Sequence, residues 1–151
     1  MSVASTPSKD TRVSPSLHEL VTSEQYVEAA KYIAADIIQE LSAYPARWCQ
    51  GALGRFIDDR RALFSELWQD DVVCWCLLGH FYKRLGGCQP VEYDVVTVCD
   101  KVFEVVRREL GGKIVGLWND ARDRTVQDVI ALCRRIVDPV AAGPAQAQAG
   151  A

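Results

Sequence analysis

The chain has 151 residues, 49% hydrophobic and 25% charged, with 17 basic against 20 acidic side chains and a formal net charge of −3. That length suits one domain, and the composition is that of an ordinary globular protein rather than a disordered or fibrous one. The mild acidity argues against a general nucleic-acid binder, which carries a basic footprint, and no apolar run approaches the roughly 18 residues of a membrane span.

The N-terminus, Met1-Ser2-Val3-Ala4-Ser5-Thr6-Pro7, lacks the apolar stretch of a secretory signal, so a cytoplasmic protein is expected. Residues 1–16 and the Ala/Gly/Gln-rich stretch 139–151 read as disordered tails, because neither can bury enough apolar surface to offset chain entropy. Residues 17–138 are left as a single helical domain. Thr22-Ser23-Glu24-Gln25 fits a capping box. After it Tyr26, Ala30, Ile33, Ile37 and Leu41 recur at helical spacing until Pro45 stops the helix. Arg47 to Phe56 escapes this period and reads as a short strand, turn and return. A shorter helix is expected at Leu63, Phe64, Leu67 and Trp68, with Asp58 and Asp59 favouring its positive end.

Val72 to Phe81 is apolar on nearly every side, the mark of a buried strand or a central helix. Continuation through Tyr82-Lys83-Arg84-Leu85 to Gly86-Gly87 favours one helix, the hub of the core. Pro90 suits a first helical turn, and Val95, Cys99, Val102, Val106 and Leu110, flanked by Val96 and Phe103, form the next stripe, ending at Gly111-Gly112. Lys113 to Asp120 reads as a second short strand or an irregular loop. The last helix opens on the cap motif Thr125-Val126-Gln127-Asp128 and buries Val126, Val129, Ile130, Cys133, Ile136 and Val137. The expected architecture is mainly α, a small bundle of about five helices with a minor two-stranded β element.

Six cysteines (Cys49, Cys74, Cys76, Cys88, Cys99, Cys133) invite a disulfide reading. Without an export signal the reducing cytosol works against it, and Cys99 and Cys133 lie on apolar stripes where a thiol acts as a small hydrophobe. Zinc spacing is missing as well: the closest pair is Cys74-x-Cys76, on different sides of the expected helix, and the histidines are His18 and His80 alone. Free thiols are expected, with no metal and no cofactor.

Functional residues concentrate on loops held by a rigid scaffold, and the two irregular stretches each set a tryptophan beside polar groups. Trp48-Cys49-Gln50-Gly51-Ala52, Cys76-Leu77-Leu78-Gly79 and Trp118-Asn119-Asp120 running to Arg124-Thr125 together resemble a family of small bacterial proteins of unknown function, with Trp-Cys-Gln-Gly-like, Cys-x-x-Gly and Trp-Asn-Asp…Arg-Thr segments. The resemblance spans about Ile33 to Val137 and departs between Gly51 and Trp75. It implies no settled activity.

Three chemistries fit the residues. Cys49, His80 and Asn119 (or Asp120) are the inventory of a Cys-His-Asn constellation, set against a core histidine that simply satisfies its hydrogen bonds. Arg122, Arg124 and the opening amides of the last helix could hold an anion, although Asp120, Asp123 and Asp128 crowd the same place. Twelve arginines to five lysines, together with Trp68 on its short helix, suit a protein interface. The sequence favours a non-enzymatic binding or regulatory module, partnered by another protein or a second copy, with no membrane partner. A small cysteine-dependent enzyme is the second reading. The site is expected where the Trp48 and Trp118 loops meet, with Trp48, Gln50, Trp118, Asp120, Arg122 and Arg124 as binding residues.

Overall fold

The computed structural model describes residues 15–86 and 95–139; residues 1–14 and 140–151 of the expected tails, Cys88 and the helix start at Pro90 lie outside the described residues. The described part is mostly helical, with a small three-stranded antiparallel sheet in place of the expected two strands.

Its first element lies where the sequence pattern showed none. In Ser16-Leu17-His18-Glu19 the Ser16 hydroxyl accepts from the Glu19 amide at 3.1 Å and the Glu19 carboxylate accepts from the Ser16 amide at 2.8 Å. This capping box opens α1 (Leu17–Thr22), which buries Leu17, Leu20 and Val21. The box expected at Thr22 to Gln25 does not form. Thr22 donates its hydroxyl back to the His18 carbonyl at 2.9 Å, Ser23 caps the end of α1, and Glu24 turns the chain with φ +58°. Helix α2 (Tyr26–Ala43) then starts without a side-chain cap and buries Ala29, Ala30, Ile33, Ala34, Ile37 and Leu41. Its small residues let it lie against α6 (Val126–Val137) and α4 (Val95–Glu109).

Between α2 and the next helix the chain builds the sheet. Strands β1 (Gly54–Phe56), β2 (Arg61–Ala62) and β3 (Val72–Trp75) are ordered β2-β1-β3, all antiparallel. Asp58 and Asp59 make the β1–β2 turn rather than a helix start: Asp58 accepts from the Arg60 amide at 3.1 Å and Asp59 adopts φ +71°. The helix expected at Leu63 to Trp68 shrinks to one 3-10 turn, Phe64–Glu66. Of its four apolar residues only Leu67 is buried, with Phe56, Ala62 and Val72 in a small core under the sheet. A single buried anchor gives a helix no face to bury.

The expected hub helix is likewise two elements. Val72 and Cys74 are buried and Val73 exposed, the alternation of a strand, and helix α3 (Leu77–Gly86) starts only after Cys76. β-Branched Val72 and Val73 take the pleated conformation. Lys113 to Asp120 contains the short helix α5 (Val115–Asn119) rather than a strand. In α4 the stripe buries Val98, Cys99, Val102, Phe103, Val105 and Val106, and Leu110 just past its end is buried too, while Val96 faces out. Helix α6 has the expected Thr125–Asp128 capping box and buries Leu132 in addition to Val129, Ile130, Cys133 and Ile136; Val126 and Val137 are half-buried. The main core gathers these helices around Ile33, Ile37, Leu41, Phe81 and Leu85.

Gly79 shows why Cys76-Leu77-Leu78-Gly79 ends as it does. The Leu53 carbonyl accepts from the Cys76 amide at 3.0 Å, and a Cβ on Gly79 would overlap that carbonyl oxygen. Backbone cannot give way as a flexible side chain can. Gly79→Ala is therefore expected to destabilise the fold by about 1–3 kcal/mol in urea unfolding, despite alanine's better helix propensity; an unchanged or raised midpoint would contradict this contact.

Candidate functional site

The two irregular stretches do meet, and Asn119 is their junction. It is fully buried at the end of α5. Its Oδ1 accepts from the Trp48 indole N–H at 2.7 Å and from the Leu77 amide at 3.0 Å. Its Nδ2 donates to the Cys49 carbonyl at 3.2 Å and to Asp120 Oδ1 at 2.9 Å. That is the full capacity of one carboxamide. Around it Gln50 Nε2 donates to the Asn119 and Ala121 carbonyls at 2.8 and 2.9 Å, and the Gly51 amide donates to Asp120 at 3.0 Å. Leu77 opens α3, so Asn119 caps that helix from a distance in sequence, while Cys76 Sγ accepts from the Gly79 amide at 3.4 Å. Trp118, half-buried, carries the Arg124 guanidinium 4.0 Å above its ring, and Arg124 Nε donates to the Trp118 carbonyl at 2.8 Å. The amides of Thr125 and Asp128 are taken by the capping box, and Arg122 is exposed. Trp48, Gln50, Trp118, Asn119, Asp120 and Arg124 thus bond to one another and to α3. This is a clasp centred on a carboxamide whose four bonds are all internal.

Cys49 is held by this clasp at its backbone, donating its amide to the Trp75 carbonyl at 3.2 Å. The Cys74 side chain, then burial, push Cys49 well above the usual thiol range. The Cys49 side chain and Arg55 outweigh burial and hold Cys74 below it. Burial pushes Cys76 up to about 11.

His80 belongs to a different group. It is fully buried, one ring nitrogen (Nε2) lies 3.0 Å from the Arg47 carbonyl and the other (Nδ1) 3.1 Å from an Arg84 guanidinium nitrogen. A carbonyl only accepts, so Nε2 carries the proton and Nδ1 accepts from Arg84. Both nitrogens are engaged away from Cys49. The structure brings Asn119 to the Cys49 backbone; it turns His80 toward Arg47, Arg84 and Glu40.

Glu40, which the sequence pattern did not single out, is the centre of that second group. Its carboxylate pairs with Arg84, with Arg47 at 3.1 Å and with Lys83 at 3.4 Å, and lies 3.8 Å from His80 Nδ1, while Arg84 also reaches Asp36 at 2.7 Å. Burial raises the Glu40 carboxyl, but Lys83 and the Arg84 hydrogen bond outweigh it and hold the pKa at about 2. Burial, then the charges of Arg84 and Lys83, push His80 down to about 3. Burial and Arg84 lower Lys83 to about 8, against the pull of Glu40. Lys83 and Arg84 keep only 17% and 11% of their side chains exposed.

Lys83 also lies 3.3 Å from the Trp75 ring centroid and, with Glu40 and Arg47, lines an open groove of about 510 Å³ beside β3. Trp68, Gln69, Asp70, Val72 and Val73 line it as well. Both tryptophans are tethered: Trp68 Nε1 donates to the Lys83 carbonyl at 2.6 Å and Trp75 Nε1 to the Leu67 carbonyl at 3.0 Å. Among the described residues no group of three or more His, Cys, Asp or Glu is placed to hold a metal ion, and no helix is long and apolar enough to cross a membrane.

Fold and clasp define a mostly helical protein in which two Trp-centred segments lock a small sheet to the helices. The chain belongs to the DUF6197 family, a family of unknown function, which it matches over residues 22–138. No curated protein and no solved structure matches it.

Removing the Asn119 carboxamide strands the Trp48 and Leu77 N–H groups and the Cys49 carbonyl. Asn119→Ala is expected to lose about 3 kcal/mol or more of unfolding free energy; a loss under about 1 kcal/mol would show that the clasp does not hold the fold. The second group makes a pH signature. Unfolded His80 gains a proton near pH 6.5 and folded His80 only near 3, so the unfolded chain binds the extra proton in between. Its stability contribution is complete above pH 6.5 and is lost as pH falls, by at most about 1.4 kcal/mol per pH unit. Glu40, at about 2 folded against 4.5, adds loss in the same direction below pH 4.5. Urea unfolding between pH 7 and 5 should show a fall for the wild type that is shallower by this amount in His80→Gln; parallel profiles would refute the burial of a neutral imidazole.

Proposed function

We propose that this protein is a non-enzymatic binding module whose binding surface is the groove beside β3, occupied by an extended segment of a partner protein. What carries the reading is the coincidence, in one open groove, of exposed apolar side chains with partly buried charged ones. Trp68 and Val73, which line it, are 43% and 41% exposed. β3 is an edge strand, paired with β1 along its length and touched on the other side by one bridge, Trp48 to Trp75. The β1–β3 register skips Val73, a bulge that presents this residue outward. Edge strands accept added strands, and rigidly held tryptophans are strong interface anchors.

The charge indicates what such a segment carries. Of the Glu40 group, Arg47, Lys83 and Glu40 itself line the groove, two cations against one carboxylate. Asp70 also lines it but is exposed to water, where its charge is screened. An acidic side chain flanked by apolar ones complements the groove. In the clasp between Trp48 and Trp118, expected from sequence to be the site, the Asn119 carboxamide and the Gln50 Nε2 group are already spent on internal hydrogen bonds.

The test is a titration of blocked hexapeptides alternating valine with glutamate or with lysine, followed by NMR of the Trp68 and Trp75 indole N–H and Val73 amide signals. The glutamate peptide should shift these signals saturably, and the lysine peptide should bind at least about tenfold more weakly, about 1.4 kcal/mol. Trp68→Ala and Lys83→Gln should each weaken the glutamate peptide. Absence of saturable shifts, or equal shifts with both peptides, overturns the reading.

A further inference from the structure

We infer that an apolar pocket between α3 and α4 binds a small aromatic amine, a ring carrying one ammonium group. The pocket has a volume of about 300 Å³ and is lined by Leu53, Phe64, Tyr82, Val96, Cys99 and Asp100. It shares no residue with the groove beside β3, although Phe64 packs edge to face against the groove residue Trp68 at 5.6 Å. Small-molecule sites start at about this size, with mostly apolar and aromatic walls and a few polar groups. The space suits a single ring.

Its walls are held before any ligand arrives. The Leu53 carbonyl accepts from the Cys76 amide at 3.0 Å and lies against Gly79, which pins Leu53 to the start of α3. The Tyr82 ring is gripped edge to face by Phe64 at 5.0 Å and by Phe103 at 5.3 Å. Cys99 is buried in the main core, whereas Phe64 and Val96 are 42% and 66% exposed. Aromatic pairs prefer edge-to-face or offset contact, so a ligand ring can extend the row that Phe103, Tyr82 and Phe64 begin.

Two polar groups in the lining select the charge of the ligand. Neither the Tyr82 hydroxyl nor the Asp100 carboxylate makes a hydrogen bond or ion pair with any described residue. Burial, then Cys99 and Asp100, raise the Tyr82 phenol above its usual value, so it remains an uncharged hydroxyl. No Lys, Arg or His lines the pocket, and aromatic rings attract cations. A ligand carboxylate would be set against Asp100, and a neutral hydrocarbon would leave both polar groups to water. A single carboxylate among apolar walls is too few ligands for a metal ion. An ammonium group satisfies Asp100 while its ring fills the apolar part.

The experiment titrates the full-length protein with phenethylamine, with phenethyl alcohol and with hydrocinnamate, which share one ring and differ in charge. Methyl NMR signals of Leu53 and Val96 report the pocket; the Val73 amide and Trp75 indole N–H report the groove, so the two sites succeed or fail separately. Phenethylamine should shift the Leu53 and Val96 methyls saturably and leave the groove signals in place. The alcohol and the acid should bind at least about threefold more weakly, the scale of one exposed ion pair. Asp100 is exposed, so Asp100→Asn should fold; it should lower the amine's affinity to that of the alcohol and leave the alcohol unchanged. Phe64→Ala should weaken amine and alcohol alike. Absence of saturable shifts with the amine, equal affinity for the three compounds, or an unchanged amine affinity in Asp100→Asn overturns the inference. So do Leu53 and Val96 signals that move with protein concentration alone, since a second copy then covers the pocket.

Discussion

One buried carboxamide holds this molecule together across its long-range connections. Asn119 joins the segment after α2, the start of α3 and the end of α5 by four hydrogen bonds. The Leu77 amide, the Trp48 indole and the Cys49 carbonyl are buried or part-buried, and such groups are expensive to leave unpaired. Because Asn119 can neither gain nor lose a bond without stranding one, it sets the relative positions of Trp48, Cys49 and Leu77 together. The sheet inherits that placement: Trp48 bridges Trp75, and the Leu53 carbonyl lies against Gly79.

The Glu40 group lies further along α3 and is built on the opposite logic. Where Asn119 satisfies neutral dipoles, Glu40 gathers three cations and a neutral imidazole in partial burial. Breaking one member of such a group leaves an uncompensated charge. It therefore orients Arg84, and through it the tautomer of His80, while Lys83 is held over Trp75 at the wall of the groove. α3 thus carries the clasp at its first residue, and His80, Lys83 and Arg84 carry the charge group along its length.

The parts of the fold that sequence revealed are those governed by periodicity. The stripes of α2, α4 and α6 follow from residues three and four apart, and the Thr125–Asp128 box is a local hydrogen-bond pair. The failures share a cause. Thr22 to Gln25 has the letters of a capping box, but Thr22 spends its hydroxyl on α1; Val72 to Phe81 is apolar throughout because a strand and a helix, both buried, follow each other; Leu63 to Trp68 has helical spacing with only one residue given a core to enter. In each case the deciding partner is distant in the chain.

The same division holds for function. The sequence by itself determined that Trp48-Cys49-Gln50 and Trp118-Asn119-Asp120 break the helical pattern, that Cys49 stands apart from the thiols on apolar stripes, and that Ala29 to Leu41 forms a core helix, because these are statements about neighbours along one chain. That Asn119 is spent on a clasp, and that His80 faces Glu40 and Arg84, follows only from how the elements pack. Hydrogen bonds and ion pairs act within about 3–4 Å. Which groups come that close across 30 to 70 residues is fixed by packing, to which the spacing of residues along the chain is blind.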